Sequence, residues 1–155
     1  SGNMLWGTQQ KTHVNFGVAC TTGVSSINYT HAVVMGGYRN NAGYGGSFAA
    51  VCGGAYNNAD GGYTTIGGGY SNDIADWWGT IAGGYNSTVN SRGGGILSGF
   101  NNVAGVTGLD SAAVVMGGYL NSALGKFSFV GGGKNVPAPD YGSFVGGGEL
   151  DSAGG

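Results

Sequence analysis

Seven carboxylates, two imidazoles and two thiols are the chain's whole stock of such groups for moving protons or holding a metal. Asp73 with Asp76, or Asp60 brought beside Asp76 by stacking, would form the acid pair of a glycosidase, one carboxyl protonating the leaving oxygen while the other attacks or activates water. His13 and His31 lie in no Gly-x-Ser-x-Gly, Cys-x-x-Cys or His-Glu-x-x-His context, so no nucleophile elbow or zinc motif is spelled out. Asp does not follow the Gly runs at the spacing of calcium-binding nonapeptides. A histidine would gather metal only by meeting copies of itself across a symmetry axis. With the acids scattered, the expectation is a protein that is not an enzyme, with no catalytic residues, no cofactor and no metal. Trp77-Trp78 beside Asp73 and Asp76 is the better candidate for chemistry of another kind. An indole stacks on the apolar face of a sugar while a carboxylate accepts hydroxyl protons. Adjacent strand residues face opposite ways, so one of the two rings is expected inside.

These residues ride on a repeat. From Val34 onward one phrase is written eight times, anchored on Val34, Val51, Ile66, Ile81, Ile96, Val115, Val130 and Val145, with five of seven intervals equal to 15 residues. Three positions after each anchor stands Gly37, Gly54, Gly69, Gly84, Gly99, Gly118, Gly133 or Gly148, without exception. The next position is aromatic in Tyr38, Tyr70, Tyr85, Phe100 and Tyr119. Asn40, Asn57, Asn72, Asn102 and Asn121 follow six after the anchor, and Ala42, Ala59, Ala104, Ala123 and Ala138 eight after it, with Ile74 and Val89 filling two further copies. Repetition at this period marks a solenoid.

Helix is excluded as the main element, because 37 of 155 residues are Gly and each interior Gly costs a helix about 1 kcal/mol. Runs such as Ser47–Val51, Tyr63–Ile66, Ala112–Met116 and Phe127–Val130 are rich in β-formers and predict strands. Gly and Asn tolerate positive φ, so both suit corners. The fold predicted is an all-β solenoid of about 15 residues per coil, each coil a strand, a corner, a short strand and a corner. Stacked about 4.8 Å apart, eight coils make a rod roughly 40 Å long. The anchors would form an aliphatic ladder, the Ala a tight second one, and the Asn a ladder of side-chain amides. The aromatic column would pack under a neighbouring chain or face solvent as a sugar-binding stripe.

Charged residues are only 8% of the chain and the net charge is −2, which leaves no basic footprint for nucleic acid. The 12% aromatics and regular anchors argue against disorder. No apolar run reaches the roughly 20 residues that span a bilayer, so membrane insertion is not expected. So thin a coil is expected to leave one side of its core exposed, and three rods about an axis would cover it; a homotrimer is the expectation. Cys20 and Cys52, about two coils and 9–10 Å apart, are beyond disulfide reach and read as buried thiols.

Tyr63-Thr64-Thr65-Ile66-Gly67-Gly68-Gly69-Tyr70-Ser71-Asn72 and Phe127-Ser128-Phe129-Val130-Gly131-Gly132-Gly133-Lys134-Asn135 resemble the Gly-Asn-Ala repeats of bacteriophage and other viral tail fibres. They are more distantly similar to the heads of trimeric autotransporter adhesins. Over residues 34–155 the resemblance implies a trimeric β-roll or β-helix on an extracellular attachment fibre, on a virion or a bacterial surface, with a host glycan or protein receptor as partner. Fibres of this kind often end in a self-cleaving chaperone, and a chain stopping within a repeat at Gly154-Gly155 is what a truncated product would look like. The Gly pairs and triplets before Tyr and Asn favour the fibre group over the adhesins. The alternatives are a polysaccharide-binding or -cleaving tailspike and an ice-binding solenoid, the latter disfavoured by the irregular Thr64-Thr65, Thr80, Thr88 and Thr107.

Residues 1–33 keep the pattern loosely and predict a degenerate cap or linker coil anchored on Val18, with Gly23 near a corner and Trp6, Phe16 and Ile27 over the open end. Two interruptions, Val103–Asp110 with four extra residues and Val136–Asp140 with its two prolines, are loops able to touch a receptor. The candidate receptor contacts are therefore Trp77, Trp78, Asp76, Tyr38, Tyr70, Tyr85 and Tyr119.

Overall fold

A computed structural model describes residues 6–8, 11–23, 30–43, 48–107 and 112–150. Ile27 and residues 108–110 of the first interruption lie outside the described residues. The chain begins with β1 (Trp6–Thr8), β2 (Lys11–Asn15), β3 (Thr21–Thr22) and β4 (Thr30–Val34). Two-residue strands follow: β5 (Asn41–Ala42), β6 (Ala50–Val51), β7 (Asn58–Ala59), β8 (Thr65–Ile66), β9 (Asp73–Ile74), β10 (Thr80–Ile81), β11 (Thr88–Val89), β12 (Gly95–Ile96), β13 (Val103–Ala104), β14 (Val114–Val115), β15 (Ser122–Ala123), β16 (Phe129–Val130), β17 (Pro137–Ala138) and β18 (Phe144–Val145). From β2 on, even-numbered strands stack in parallel into a ten-stranded sheet that β1 closes antiparallel on β2, and odd-numbered strands from β3 form an eight-stranded sheet. The protein is an all-β solenoid of about 8 turns with roughly 15 residues each.

Each coil has three sides where the sequence predicts two. The third is a column of single-residue parallel bridges running Val18, Tyr38, Ala55, Tyr70, Tyr85, Phe100, Tyr119, Lys134 and Glu149. Positive φ explains both the third side and the shortness of the strands. It recurs at three places per coil: at the repeat glycine, one residue past the bridge (Ser71, Asn86, Asn101), and three residues before the anchor (Phe48, Tyr63, Trp78, Phe127). Predicted strands that start at Phe48, Tyr63 or Phe127 therefore begin two residues later, once the corner has been turned.

The glycine corners are where the sequence places them. All eight repeat glycines have φ between +80° and +140°. A second constraint was not visible in the sequence: a Cβ on Gly69 would lie 2.1 Å from the carbonyl oxygen of Gly84 in the next coil, and one on Gly54 2.0 Å from that of Gly69. The corner is thus reserved for Gly by backbone conformation and by the close approach of the neighbouring coil.

Non-glycine residues at the other corners carry strain. Leu120 sits at φ 57°, a place taken by Asn in Asn86, Asn101 and Asn135. A left-handed L-residue costs about 1–2 kcal/mol, and Asn relieves part of that by local hydrogen bonding. Leu120 is 43% exposed and loses little packing on substitution. Leu120→Asn is expected to leave stability unchanged or raise it by up to about 1 kcal/mol in urea unfolding; a loss of that size would contradict the corner assignment.

Inside, the aliphatic anchors are fully buried from Val34 through Val130, Ile96 retaining 2% exposure and Val145 8%. The Ala column with Ile74 and Val89 faces them, also at 0%. One chain therefore encloses its own core, which corrects the expectation of an exposed side. The three-sided coil wraps the anchors completely, where a two-sided one would not.

The N-terminal coil also departs from its reading. Asn15, not Val18, takes the anchor position opposite Val34, while Val18 belongs to the bridge column and is 67% exposed. Phe16 is 57% exposed and covers nothing. Gly23 does stand at a corner, with φ 63° and its N–H donating to Ala42 O. Pro137 lies within β17 rather than at a corner, on the edge of its sheet among the described residues, where a missing N–H is tolerated.

Candidate functional site

The predicted amide ladder exists, and it is built differently from a simple stack. The column asparagines are not corner residues: the preceding residue makes the turn, which swings the Asn inward, so Asn40 and Asn57 are 1% exposed and Asn72 0%. The Asn57 Nδ2 donates to Gly53 O in its own coil at 3.0 Å, to Gly69 O in the next at 3.0 Å, and to Asn40 Oδ1 at 3.2 Å. Its Oδ1 accepts the backbone N–H of Asn72 at 3.0 Å and the Asn72 Nδ2 at 3.1 Å. The Asn57 and Asn72 amides thus satisfy groups on both adjoining coils as well as their own, those of Asn102 and Asn121 on their own coil and the next, and all four bond Gly carbonyls of the next corner. A Cβ on Gly69 would sit 2.8 Å from the Asn72 Nδ2, so glycine and asparagine form one unit. Where Ser87 replaces Asn the corner relaxes: Gly84 opens to φ 129° and its would-be Cβ lies 2.6 Å from Gly99 O. Beyond Asn121, Val136 ends this run, its N–H still donating to Asn121 Oδ1 at 3.0 Å.

Outside, two corners carry rings. Along the bridge column Tyr38, Tyr56, Tyr70, Tyr85 and Phe100 follow one another at centroid distances of 5.7, 5.3, 5.4 and 6.0 Å. Ala55 occupies the bridge position of its coil, and the adjacent Tyr56 supplies the missing ring. Arg39 lies 5.2 Å from the Tyr38 centroid and 5.8 Å from that of Tyr56, a cation on the end of the stack. Tyr70 and Tyr85 are within 9° of parallel, an offset stack in which each ring lies against a face of the other. Tyr119, 44% exposed, continues the column in register, and Lys134 with Glu149 ends it, Nζ to Oε1 2.6 Å.

The corner before the anchors carries the second stack; the sequence places the Trp77-Trp78 pair at a corner, as found, but assigns Phe48 and Tyr63 to strands. His31 and Phe48 lie 4.8 Å apart, Phe48 and Tyr63 4.8 Å, and Tyr63 and Trp78 6.3 Å. The signal was an aromatic three residues before an anchor in Phe48, Tyr63, Trp78 and Phe127. Both tryptophans are outside, at 42% and 54% exposure, contrary to the expectation of one buried ring; Trp78 has φ 59°, and at a turn the alternation of a strand does not apply. Trp77 stands edge-on to Trp78 at 5.8 Å and rests on Gly62, where a Cβ would come within 3.2 Å of its ring. At this corner the next coil places Gly93, whose N–H donates to Trp77 O. No side chain follows Trp78 there.

Asp73 and Asp76 each have other partners. Asp76 Oδ1 accepts the Trp77 N–H at 2.7 Å and lies 3.6 Å from Arg92 Nε. Asp73 is on β9 and accepts the Asn58 Nδ2 at 2.6 Å, in an outer amide ladder that starts with Asn41 Nδ2 donating to Asn58 Oδ1 at 2.6 Å. Asp60 follows Ala59, which pairs with Ile74, so the register sets it opposite Ala75 rather than Asp76, its N–H donating to Ile74 O. Among the described residues no three His, Cys, Asp or Glu side chains gather as a metal centre would require. Cys20 is half-buried, its Sγ accepting the Asn40 N–H at 3.2 Å, whereas Cys52 is exposed, which corrects its reading as a buried thiol.

The class that this architecture defines is a short-coil parallel β-solenoid. No family model matches the sequence, and no curated protein matches it significantly.

Proposed function

We propose that the chain is a rigid, non-enzymatic rod segment of an extracellular attachment fibre, assembled as a homotrimer, that contacts a host-surface glycan or protein. The observation that carries this reading is the commitment of its polar side chains to scaffold. The buried amides hold coil to coil, Asp73 closes an outer amide ladder, and Asp76 is engaged by a backbone N–H and Arg92. Such a chain offers length, stiffness and an exposed aromatic surface. Its resemblance to viral tail-fibre repeats points the same way.

Within that reading the glycan contact is Trp77 and Trp78. Tyr70 and Tyr85 already stack on each other at 5.4 Å, which leaves less ring face for a sugar there, whereas the position after Trp78 in the next coil is Gly93, which has no side chain. Titrating host-surface polysaccharide against tryptophan fluorescence is expected to give a saturable change that Trp78→Ala weakens by about two- to tenfold, since aromatic stacking is worth roughly 0.5–1.5 kcal/mol. Tyr85→Ala should leave the affinity unchanged. Equal loss in both variants would assign binding to the column instead.

A further inference from the structure

We propose that Tyr56 and Tyr70 are an oxidative cross-linking site, two phenols placed to be joined as dityrosine when the rod meets hydrogen peroxide and a haem peroxidase; this goes beyond the attachment reading and does not depend on it. Tyr38, Tyr56, Tyr70 and Tyr85 follow one another on the third side of the coil, each between 40% and 46% exposed and so open to an oxidant in solution. Among the described residues these are the tyrosines whose rings meet another tyrosine. Tyr63 instead meets Phe48, Trp77 and Trp78, and Tyr141 meets Phe127. The backbone holds the column in place. Ala55 pairs with Tyr70, its N–H donating to Gly69 O at 2.9 Å, and the Tyr56 N–H donates to Tyr38 O at 3.0 Å. With its φ at 59°, Tyr56 brings its ring diagonally toward that of Tyr70.

Ring geometry selects the pair. A dityrosine bond joins two ring edges at the carbons ortho to the oxygens, with the ring planes twisted against each other. Tyr56 and Tyr70 come nearest to that arrangement, with centroids 5.3 Å apart and planes tilted by 56°. Tyr70 and Tyr85, at 5.4 Å and 9° from parallel, present faces and must unstack first, while Tyr38 and Tyr56 are farther apart at 5.7 Å and nearly perpendicular at 79°. In the reaction each phenol gives one electron and one proton to the peroxidase, which reduces one peroxide to two waters. The two radicals couple between ortho carbons, and the hydrogen that each of those carbons carried moves to its phenol oxygen. The product is again two phenols, lighter by two hydrogens. Phe100, which follows Tyr85, has no phenol and ends the series. Such a bond would tie two coils covalently in a rod whose coils otherwise depend on noncovalent contacts with their neighbours.

The test treats the dilute full chain with a haem peroxidase and limiting hydrogen peroxide, reads dityrosine fluorescence, and locates the bond by peptide mapping with tandem mass spectrometry. Folded wild type is expected to give a product within one chain, two hydrogens lighter, with Tyr56–Tyr70 as its main pair. Tyr70→Phe keeps the ring in the column but removes a member of two of the three phenol contacts. It is expected to lose most of the fluorescence, whereas Tyr119→Phe keeps it. In urea the preference for this pair should disappear, because the fold creates it. A folded chain whose yield is unchanged in Tyr70→Phe, or whose main product is any other pair or joins separate chains, overturns the proposal.

Discussion

Gly69→Val is expected to destroy the cooperative fold, lowering stability by about 4 kcal/mol or more. Three effects act at one atom. The new Cβ would sit 2.1 Å from Gly84 O, and 2.8 Å from both Gly84 N and the Asn72 Nδ2. The φ of +96° is closed to a β-branched residue. Relief by moving the next coil away would break the Tyr70 N–H to Gly84 O bond and the Asn72 bond to the same oxygen, 3.0 and 2.9 Å. Because a solenoid couples each coil only to its neighbours, the damage should also divide the rod. Urea unfolding of the variant is expected to lose its single transition, with hydrogen exchange fastest on either side of Gly69. Gly68→Ala is the control: a Cβ there has no neighbour closer than 4.0 Å, so a change within about 0.5 kcal/mol is expected. Equal damage from both substitutions would show that the close approach of coils is not what reserves the corner.

Asn57→Asp is expected to cost about 3–5 kcal/mol at neutral pH, from a single exchange of amide for carboxylate. The Nδ2 of Asn57 faces three acceptors, Gly53 O, Gly69 O and Asn40 Oδ1. A carboxylate there would have no donor to replace the amide, in a site 1% exposed. Burial and facing acceptors both disfavour the ionised form, so the introduced carboxyl would titrate above its unfolded value of about 4. The penalty is then largest above the folded pKa and shrinks as pH falls toward the unfolded pKa, where the protonated acid donates one hydrogen bond again. The variant should therefore gain stability relative to wild type on acidification from neutral pH to about 4. Chemical denaturation at the two pH values checks this, and a difference between the proteins that does not vary with pH would contradict the inward amide geometry.

Much of the scaffold was legible because it is written in residue types with one physical use. Gly at anchor plus three and the aliphatic anchors repeat strictly, Ala recurs at anchor plus eight with Ile74 and Val89 in two copies, and in the described coils each has the role assigned to it. The third side of the coil was less visible, because its bridge residues are as different as Val18, Ala55, Tyr70 and Lys134. The bridges themselves pair backbone groups, so the side chain at each position is free to vary. Corners at Tyr63 and Phe127 were hidden for the opposite reason: aromatic residues prefer strands, and stacking across coils holds Tyr63 in a conformation that its propensity argues against. The same override placed both tryptophans outside. The anchor of the N-terminal coil was missed because Asn15 gives no aliphatic signal, its amide donating instead to Cys20 O at 2.8 Å.

The central claim, a self-enclosed rod that assembles through its sides, is tested most directly by multi-angle light scattering on the purified chain, before and after mild heating in detergent. A mass near three times the 15.3 kDa of one chain, persisting through the detergent step, is the result predicted. A particle of 15.3 kDa would contradict it, leaving a β-solenoid whose attachment role needs another explanation.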